Sequence, residues 1–410
     1  MKALVVDLDI PRIVASKILG FFSPRAYLGR WAALRYRDVP DVELPADDWV
    51  VIKVRYCGIC GSDYKQVFAV GNWDNPMTSL ISFPQILGHE VVGTIDRVGP
   101  AVKGRRVGER VVLNPWLSCG PRGFEELCPS CRAGNFSRCY NFHKGIIPPG
   151  IHTGNSSKAT GGFAPFVPAH ESMCIPVPEG ISDEQAVLAD PFSVSLHAIL
   201  NFPPGPRDIV VVYGCGTLGL LAVAILKELY PEVRIVAVYR YEHQKALAER
   251  FGASETIPWR PARAIIARIA ECAGADVLVP KAGKPMLNGG VQTIYDSVGT
   301  AESMEVGLRI CDYRARIVVT GVGTPKRFEW TPLYFKEVSI IGSNAFGMED
   351  FQGERKHAME IYFDMVRHRA VDVTPILTHR FGIEHYEDAF LACWDQGKSG
   401  AVKVLFEYPG

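Results

Sequence analysis

The sequence has no apolar run long enough to cross a bilayer. Its best candidate, Ile13 to Phe22, is short and interrupted by Ser16 and Lys17, whereas a spanning helix needs about 20 apolar residues. No secretory signal is expected either, since the stretch Met1-Lys2-Ala3-Leu4-Val5-Val6-Asp7 alternates like a strand and carries an acid early. Net charge is missing too, since 44 Lys plus Arg balance 44 Asp plus Glu. There is no basic block and no acidic tail, so no nucleic-acid partner is expected, and the lack of a spanning run leaves no membrane partner expected either. No internal repeat or low-complexity stretch is visible, and the 39 glycines and 29 prolines fit tight turns. A cytoplasmic enzyme is the expectation that remains.

What is present begins with size and cysteine. A chain of 410 residues, 48% hydrophobic, can bury sizeable cores in two or three domains. Six of its eleven cysteines cluster at positions 57, 60, 119, 128, 131 and 139. In a reducing compartment, clustered cysteines point to metal rather than to disulfides. Cys174, Cys215, Cys272, Cys311 and Cys393 are scattered and read as small buried hydrophobes.

The first half reads as β-rich, with strands at 49–56, 90–98 and 109–113 between Gly and Pro turns, as in a barrel or sandwich. The pattern changes near residue 185. A helix is expected over 183–200, then a strand at 208–213 apolar enough to be buried on both faces. Strands at 234–239, 291–296, 316–320 and 338–342 alternate with helices, which predicts a doubly wound parallel sheet. A helical stretch, 353–369, and a final strand, 401–406, close the chain. The fold class is therefore α/β. Residues 9–37 stand apart: 10–19 reads as a short helix with Pro11 near its start. Packing or a subunit contact is preferred for it over a wall of the substrate cleft.

Three motifs carry chemistry. Gly58-Ile59-Cys60-Gly61-Ser62-Asp63 follows a strand, and Gly88-His89-Glu90 follows thirty residues on. Thiolate, imidazole and carboxylate are the ligand types of an open catalytic zinc site, although residue types alone leave a structural turn equally open. Cys119, Cys128, Cys131 and Cys139, spaced C-x8-C-x2-C-x7-C in a loop poor in apolar residues, suit a closed structural zinc site. Gly214-Cys215-Gly216-Thr217-Leu218-Gly219 lies between a buried strand and a helix, the context that a dinucleotide fingerprint needs. The next strand ends at Tyr239, followed by Arg240, where an NAD site normally has an acid. An arginine there suits a 2′-phosphate, so NADP is favoured, while Glu242 keeps NAD open.

Taken together, these motifs resemble the medium-chain dehydrogenase/reductase superfamily, zinc alcohol and polyol dehydrogenase branch. The resemblance runs from Met1 to Phe406 and also rests on LGHE at 87–90, GGFAPFV at 161–167 and ADPFSVSLHA at 189–198. It implies a GroES-like catalytic domain, 1–193 and 343–410, carrying a four-cysteine lobe at 115–140. A Rossmann domain would occupy 194–342. It implies two zinc ions per chain, a catalytic one on Cys60 and His89 with Asp190 and Glu90, and a structural one on the lobe cysteines. Two departures stand out. Asp190 occupies a position that holds cysteine or glutamate in relatives, and eight residues rather than two separate Cys119 from Cys128. Ser62 is the implied proton relay, and Lys65 is left at the surface. Phe68, Trp73 and Trp116 are candidates for a pocket wall or for core. The expected activity is hydride transfer between an alcohol or polyol and NAD(P), in a homodimer or homotetramer. The alternatives are a zinc-free quinone or enoyl reductase and a silent binding or sensor protein on the same fold.

Overall fold

The structure is a computed structural model that describes residues 1–72, 74–323, 327–368 and 371–409. Trp73, one of the candidate pocket aromatics, lies outside the described residues. The chain divides into two units: Met1–Asp190 with Met359–Arg367 and Leu377–Gly410, and Pro191–Ala358 with His368–Ile376.

In the first unit, alternating apolar residues build a mainly antiparallel sheet in the order Leu377–Gly382, Lys403–Glu407, Trp49–Gly58, Glu90–Val98, Arg110–Leu113, Cys174–Pro176. Strand Trp49–Gly58 also pairs with Phe166–His170. A smaller sheet joins Leu34–Asp38, Lys2–Val6 and Gln85–Ile86. In register, Gly58 stands opposite Glu90 on one side and Leu405 on the other. A Cβ on Gly58 would overlap the Glu90 carboxylate and crowd the Lys403 stem, so only glycine allows this approach.

The second unit is a six-stranded parallel sheet, ordered Glu255–Pro258, Arg234–Tyr239, Ile209–Tyr213, Val291–Asp296, Cys311–Val319, Ser339–Gly342. In chain order this is 3-2-1-4-5-6, with the order reversing between Ile209–Tyr213 and Val291–Asp296, where such sheets bind dinucleotides. Nearly every residue of the first strand is buried, as an all-parallel sheet covered on both faces requires.

Some expected boundaries move. The helix expected over 183–200 is broken into Asp183–Ala186 and Ala189–Asn201. Glu354–His357 is a strand rather than helix, because Gln352 and Gly353, both at positive φ, turn it back onto Met348–Phe351. The helix there is Ala358–Arg367, and Arg369 lies outside the described residues. The expected domain limit at 343 moves as well: 343–358 and 368–376 belong to the parallel-sheet unit. One cause is the buried Glu349, which accepts from His197 Nδ1 at 2.5 Å and from Asn201 Nδ2 at 2.9 Å.

The long spacing in the cysteine lobe has a structural explanation. Arg122, inside the eight-residue spacer between Cys119 and Cys128, is fully buried. Its guanidinium donates to the carbonyls of Leu117 (2.8 Å), Lys144 (2.6 Å), Ile147 (3.2 Å), Pro148 (3.4 Å) and Gly150 (2.7 Å). Burial lowers its pKa to about 10, still charged at neutral pH. Removing it leaves buried acceptors bare, at about 1–3 kcal/mol each. Arg122→Leu should lower the melting temperature by at least about 5 °C, measured by circular dichroism. Arg122→Lys should fall between, because an ammonium cannot reach all five carbonyls.

Candidate active site and dinucleotide site

Cys60 caps the helix Gly61–Val67, and His89 and Glu90 sit at the start of strand Glu90–Val98. The two turns are joined by Asp63, a buried residue that the sequence reading passed over. Its carboxylate accepts from the backbone N–H of Cys60 (2.9 Å) and of Gly88 (3.4 Å), and lies 3.8 Å from His89 Nδ1. Cys60, His89 and Glu90 offer ligand atoms within 4.8 Å of one another. Asp190, in the first turn of helix Ala189–Asn201, is buried beside them but outside that three-residue group.

The electrostatics favour a cation. Burial raises the Asp190 carboxyl to about 7, helped by the Glu90 charge. Burial would push His89 down, but Asp63 and Cys60 outweigh it and hold it well above the usual range. Glu90 is ion-paired with the buried Lys403, which also donates to the Ile59 carbonyl at 3.1 Å. His89 Nδ1 and Asp190 Oδ2 are buried without a hydrogen-bond partner among the described residues. Buried polar atoms without partners are rare, and a donor set of thiolate, imidazole and carboxylates suits zinc. The residues therefore fit the metal.

Several neighbours refine the site. Ser62 is exposed on the first turn of the same helix. Lys65, expected at the surface, is half-buried, and burial lowers its pKa. Cys57 is buried and lies outside the ligand group. His152, unmarked by any motif, lies with its ring 4.4 Å from the His89 ring, tilted by 48°, and donates from Nδ1 to the Thr153 carbonyl at 2.8 Å. Burial, then the His89 charge, lower its pKa to about 3, so it is neutral. Trp116 stands edge-on to His152 at 6.0 Å, whereas Phe68 is core, packed on Tyr64 and Trp394.

In the lobe, the ligand atoms of Cys119, Cys128, Cys131 and Cys139 all lie within 4.8 Å of one another. The Cys119–Cys139 and Cys128–Cys139 sulfurs are 3.6 and 4.0 Å apart, bracketing the edge of about 3.8 Å of a zinc–thiolate tetrahedron. Backbone N–H groups of Cys128 and Asn141 donate to the Cys119 and Cys139 sulfurs, as thiolates require. All eleven cysteines are free.

In the parallel-sheet unit, Gly214 turns at φ +93°, and Gly216 caps the helix Thr217–Leu229. A Cβ on Gly219 would overlap the Gly214 carbonyl, so the turn, with Thr217 and Leu218 opening the helix, closes only around glycine. The helix N-terminus thus offers N–H groups to an anion. Across the strand-order reversal, the buried Asp296 accepts from the N–H groups of Val298 (2.9 Å) and Gly299 (3.0 Å) and shapes the facing turn. Tyr239 is buried at its strand end and donates to Glu242 at 3.3 Å. Arg240 is exposed, its guanidinium 5.4 Å from the Tyr241 ring and 5.6 Å from the Trp259 ring.

Residues 46–179 match the alcohol dehydrogenase GroES-like domain, and residues 217–360 match the zinc-binding dehydrogenase domain. The chain belongs to the zinc-dependent alcohol and polyol dehydrogenase branch of the medium-chain dehydrogenase/reductase superfamily, oxidoreductases acting on CH–OH groups. It is 29% identical to an L-threonine 3-dehydrogenase of Serratia proteamaculans over 90% of this chain and 95% of that one. Its fold is similar to galactitol-1-phosphate dehydrogenase from Escherichia coli (TM-score 0.72, 22% identity, 100% of both chains). It is also similar to an Escherichia coli alcohol dehydrogenase complexed with NADH (TM-score 0.72, 23% identity, 100% of this chain and 99% of that one). No helix among the described residues is long and apolar enough to cross a membrane.

The Asp63 linkage has a direct consequence. Asp63→Ala frees both turns and removes the carboxylate facing His89. Zinc affinity should fall about 10- to 100-fold, the usual cost of losing such a support, measured by competition with a chromophoric chelator. Unchanged affinity would show that the turns hold their geometry without it.

Proposed function

We propose that the protein interconverts a small alcohol or polyol and its carbonyl product, with NADP(H) as the preferred hydride carrier and NAD(H) as the second choice. The convergence of Cys60, His89 and Glu90 in one buried group carries this reading. Cys60 and His89, with Glu90 and Asp190, would hold a catalytic zinc, and Cys119, Cys128, Cys131 and Cys139 a structural one. Zinc held there would supply Lewis-acid polarisation of the substrate oxygen, and a bound nicotinamide would supply the hydride acceptor. The chain's own residues do the rest. Asp63 orients Cys60 and His89. Lys403 pairs with Glu90 and draws its carboxylate toward the sheet. Ser62 Oγ, exposed two residues after Cys60, takes the proton from the alcohol and passes it to solvent. Gly214, Gly216, Thr217, Leu218 and Gly219 receive the pyrophosphate at the helix N-terminus.

Metal analysis with activity assays over alcohols, polyols and sugars tests this reading. Wild type should carry two zinc equivalents. Ser62→Ala should keep both and lose turnover by about 100-fold or more. Zinc near zero in freshly purified protein would remove the catalytic reading.

Cofactor choice rests on Arg240. Glu242, the acid nearest the ribose site, is engaged by Tyr239, and no carboxylate pairs with Arg240 among the described residues. Flanked by two rings, its guanidinium is oriented for a phosphate. Catalytic efficiency should favour NADP by about 10- to 100-fold, and Arg240→Ala should shrink that ratio. An NAD preference untouched by the substitution would assign the ribose to Glu242.

A further inference from the structure

The N-terminal segment, which the enzymatic reading leaves without a role, turns its apolar side chains outward. In helix Ile10–Gly20 the buried residue is Ser16, while Ile10, Val14 and Ile18, spaced four apart on one face, are exposed. Just past the helix, Phe21 and Phe22 are 89% and 87% exposed, and Trp31 is 62% exposed. A helix packed on a globular unit normally has the opposite polarity, apolar inward and polar outward. Large adjacent apolar side chains in water mark a surface that something covers.

The charge of the segment identifies what covers it. From Ile10 to Arg37 the chain has six basic residues and no acid, although the whole chain is neutral. Asp7 pairs with Arg35 and Arg37, and Asp9 with Arg12. Lys17, Arg25 and Arg30 are the other three basic residues of the segment. Arg25 meets Glu387 at 3.5 Å with both side chains solvated, a weak pair. Arg30 lies over the Trp31 ring at 5.8 Å. A second copy in a twofold contact would set these cations against themselves, with no acid in the segment to offset them.

We propose that this segment docks on an anionic lipid bilayer. Helix Ile10–Gly20 lies in the plane of the surface, Phe21, Phe22 and Trp31 enter the headgroup boundary, and the basic residues face the lipid charge. Exposed apolar stripe, basic flank and interfacial tryptophan form the pattern of a helix that lies on a membrane without crossing it. The expectation of no membrane partner came from the lack of a spanning run, which does not bear on a helix lying flat, and the basic residues of 10–37 are dispersed rather than run together in one block. Docking is independent of the zinc and cofactor assignments.

Full-length protein is floated with phosphatidylcholine vesicles, with and without about one-third phosphatidylglycerol. It should rise with the anionic vesicles, stay behind with the neutral ones, and detach as salt is raised. The double variant Phe21→Ser, Phe22→Ser should bind about tenfold or more weakly, with the same melting temperature and the same activity. Arg25→Glu with Arg30→Glu should abolish the preference for anionic vesicles. Absence of binding to either vesicle, or binding that survives the double phenylalanine variant, would overturn the proposal. So would lipid-free self-association in sedimentation that the double variant disrupts, because it would assign the face to a second copy.

Discussion

The Asp63 carboxylate ties together the two turns that carry the candidate metal ligands Cys60 and His89, and the geometry of the site follows from it. Its two oxygens accept from the Cys60 and Gly88 N–H groups, and one faces His89. Burial raises its pKa, a cost that the donated hydrogen bonds and the His89 charge oppose. A second carboxylate, Glu90, is buried in the same site because Gly58 leaves room for it and Lys403 pairs with it. Breaking such a pair by removing one partner typically costs about 3–5 kcal/mol. Strand Trp49–Gly58, hydrogen-bonded to Glu90–Val98 and Lys403–Glu407, is what brings the two charges together. Thiol, imidazole and three carboxyl groups thus share a small buried volume with one ammonium, a balance suited to a divalent cation.

The cysteine lobe solves a related problem with different means. It has few apolar side chains, so loop backbone replaces hydrophobic packing, and loop backbone needs donors. Arg122 meets five carbonyls from one buried position, and N–H groups meet the sulfurs. The insertion between Cys119 and Cys128 is thus a structural part of the lobe. It carries the residue that orders residues 144–150 against it.

In the parallel-sheet unit, steric room decides more than charge does. Gly219 packs on the Gly214 carbonyl, which lets the helix start directly after the turn. Arg240, held between Tyr241 and Trp259, is oriented by its neighbours rather than by an ion pair.

The sequence by itself determined the α/β class, the parallel unit and the motif-bearing turns, because these depend on local requirements: glycine where backbone must approach, cysteine clustered where core is lacking, apolar runs where both faces are covered. It misjudged 183–200 and 353–357, where a helical pattern yielded to a break and to a hairpin. It was silent on Asp63, Lys403, His152, Arg122 and Asp296. Their roles arise from tertiary neighbours, as with Lys403, which reaches the Ile59 carbonyl across 344 residues of chain. Only the tertiary structure decided that Glu90 joins Cys60 and His89 while Asp190 sits just outside, and that the N-terminal helix shows its apolar face to solvent. A residue type constrains what a side chain can do, but burial and the charges around it depend on which distant strands pack against it.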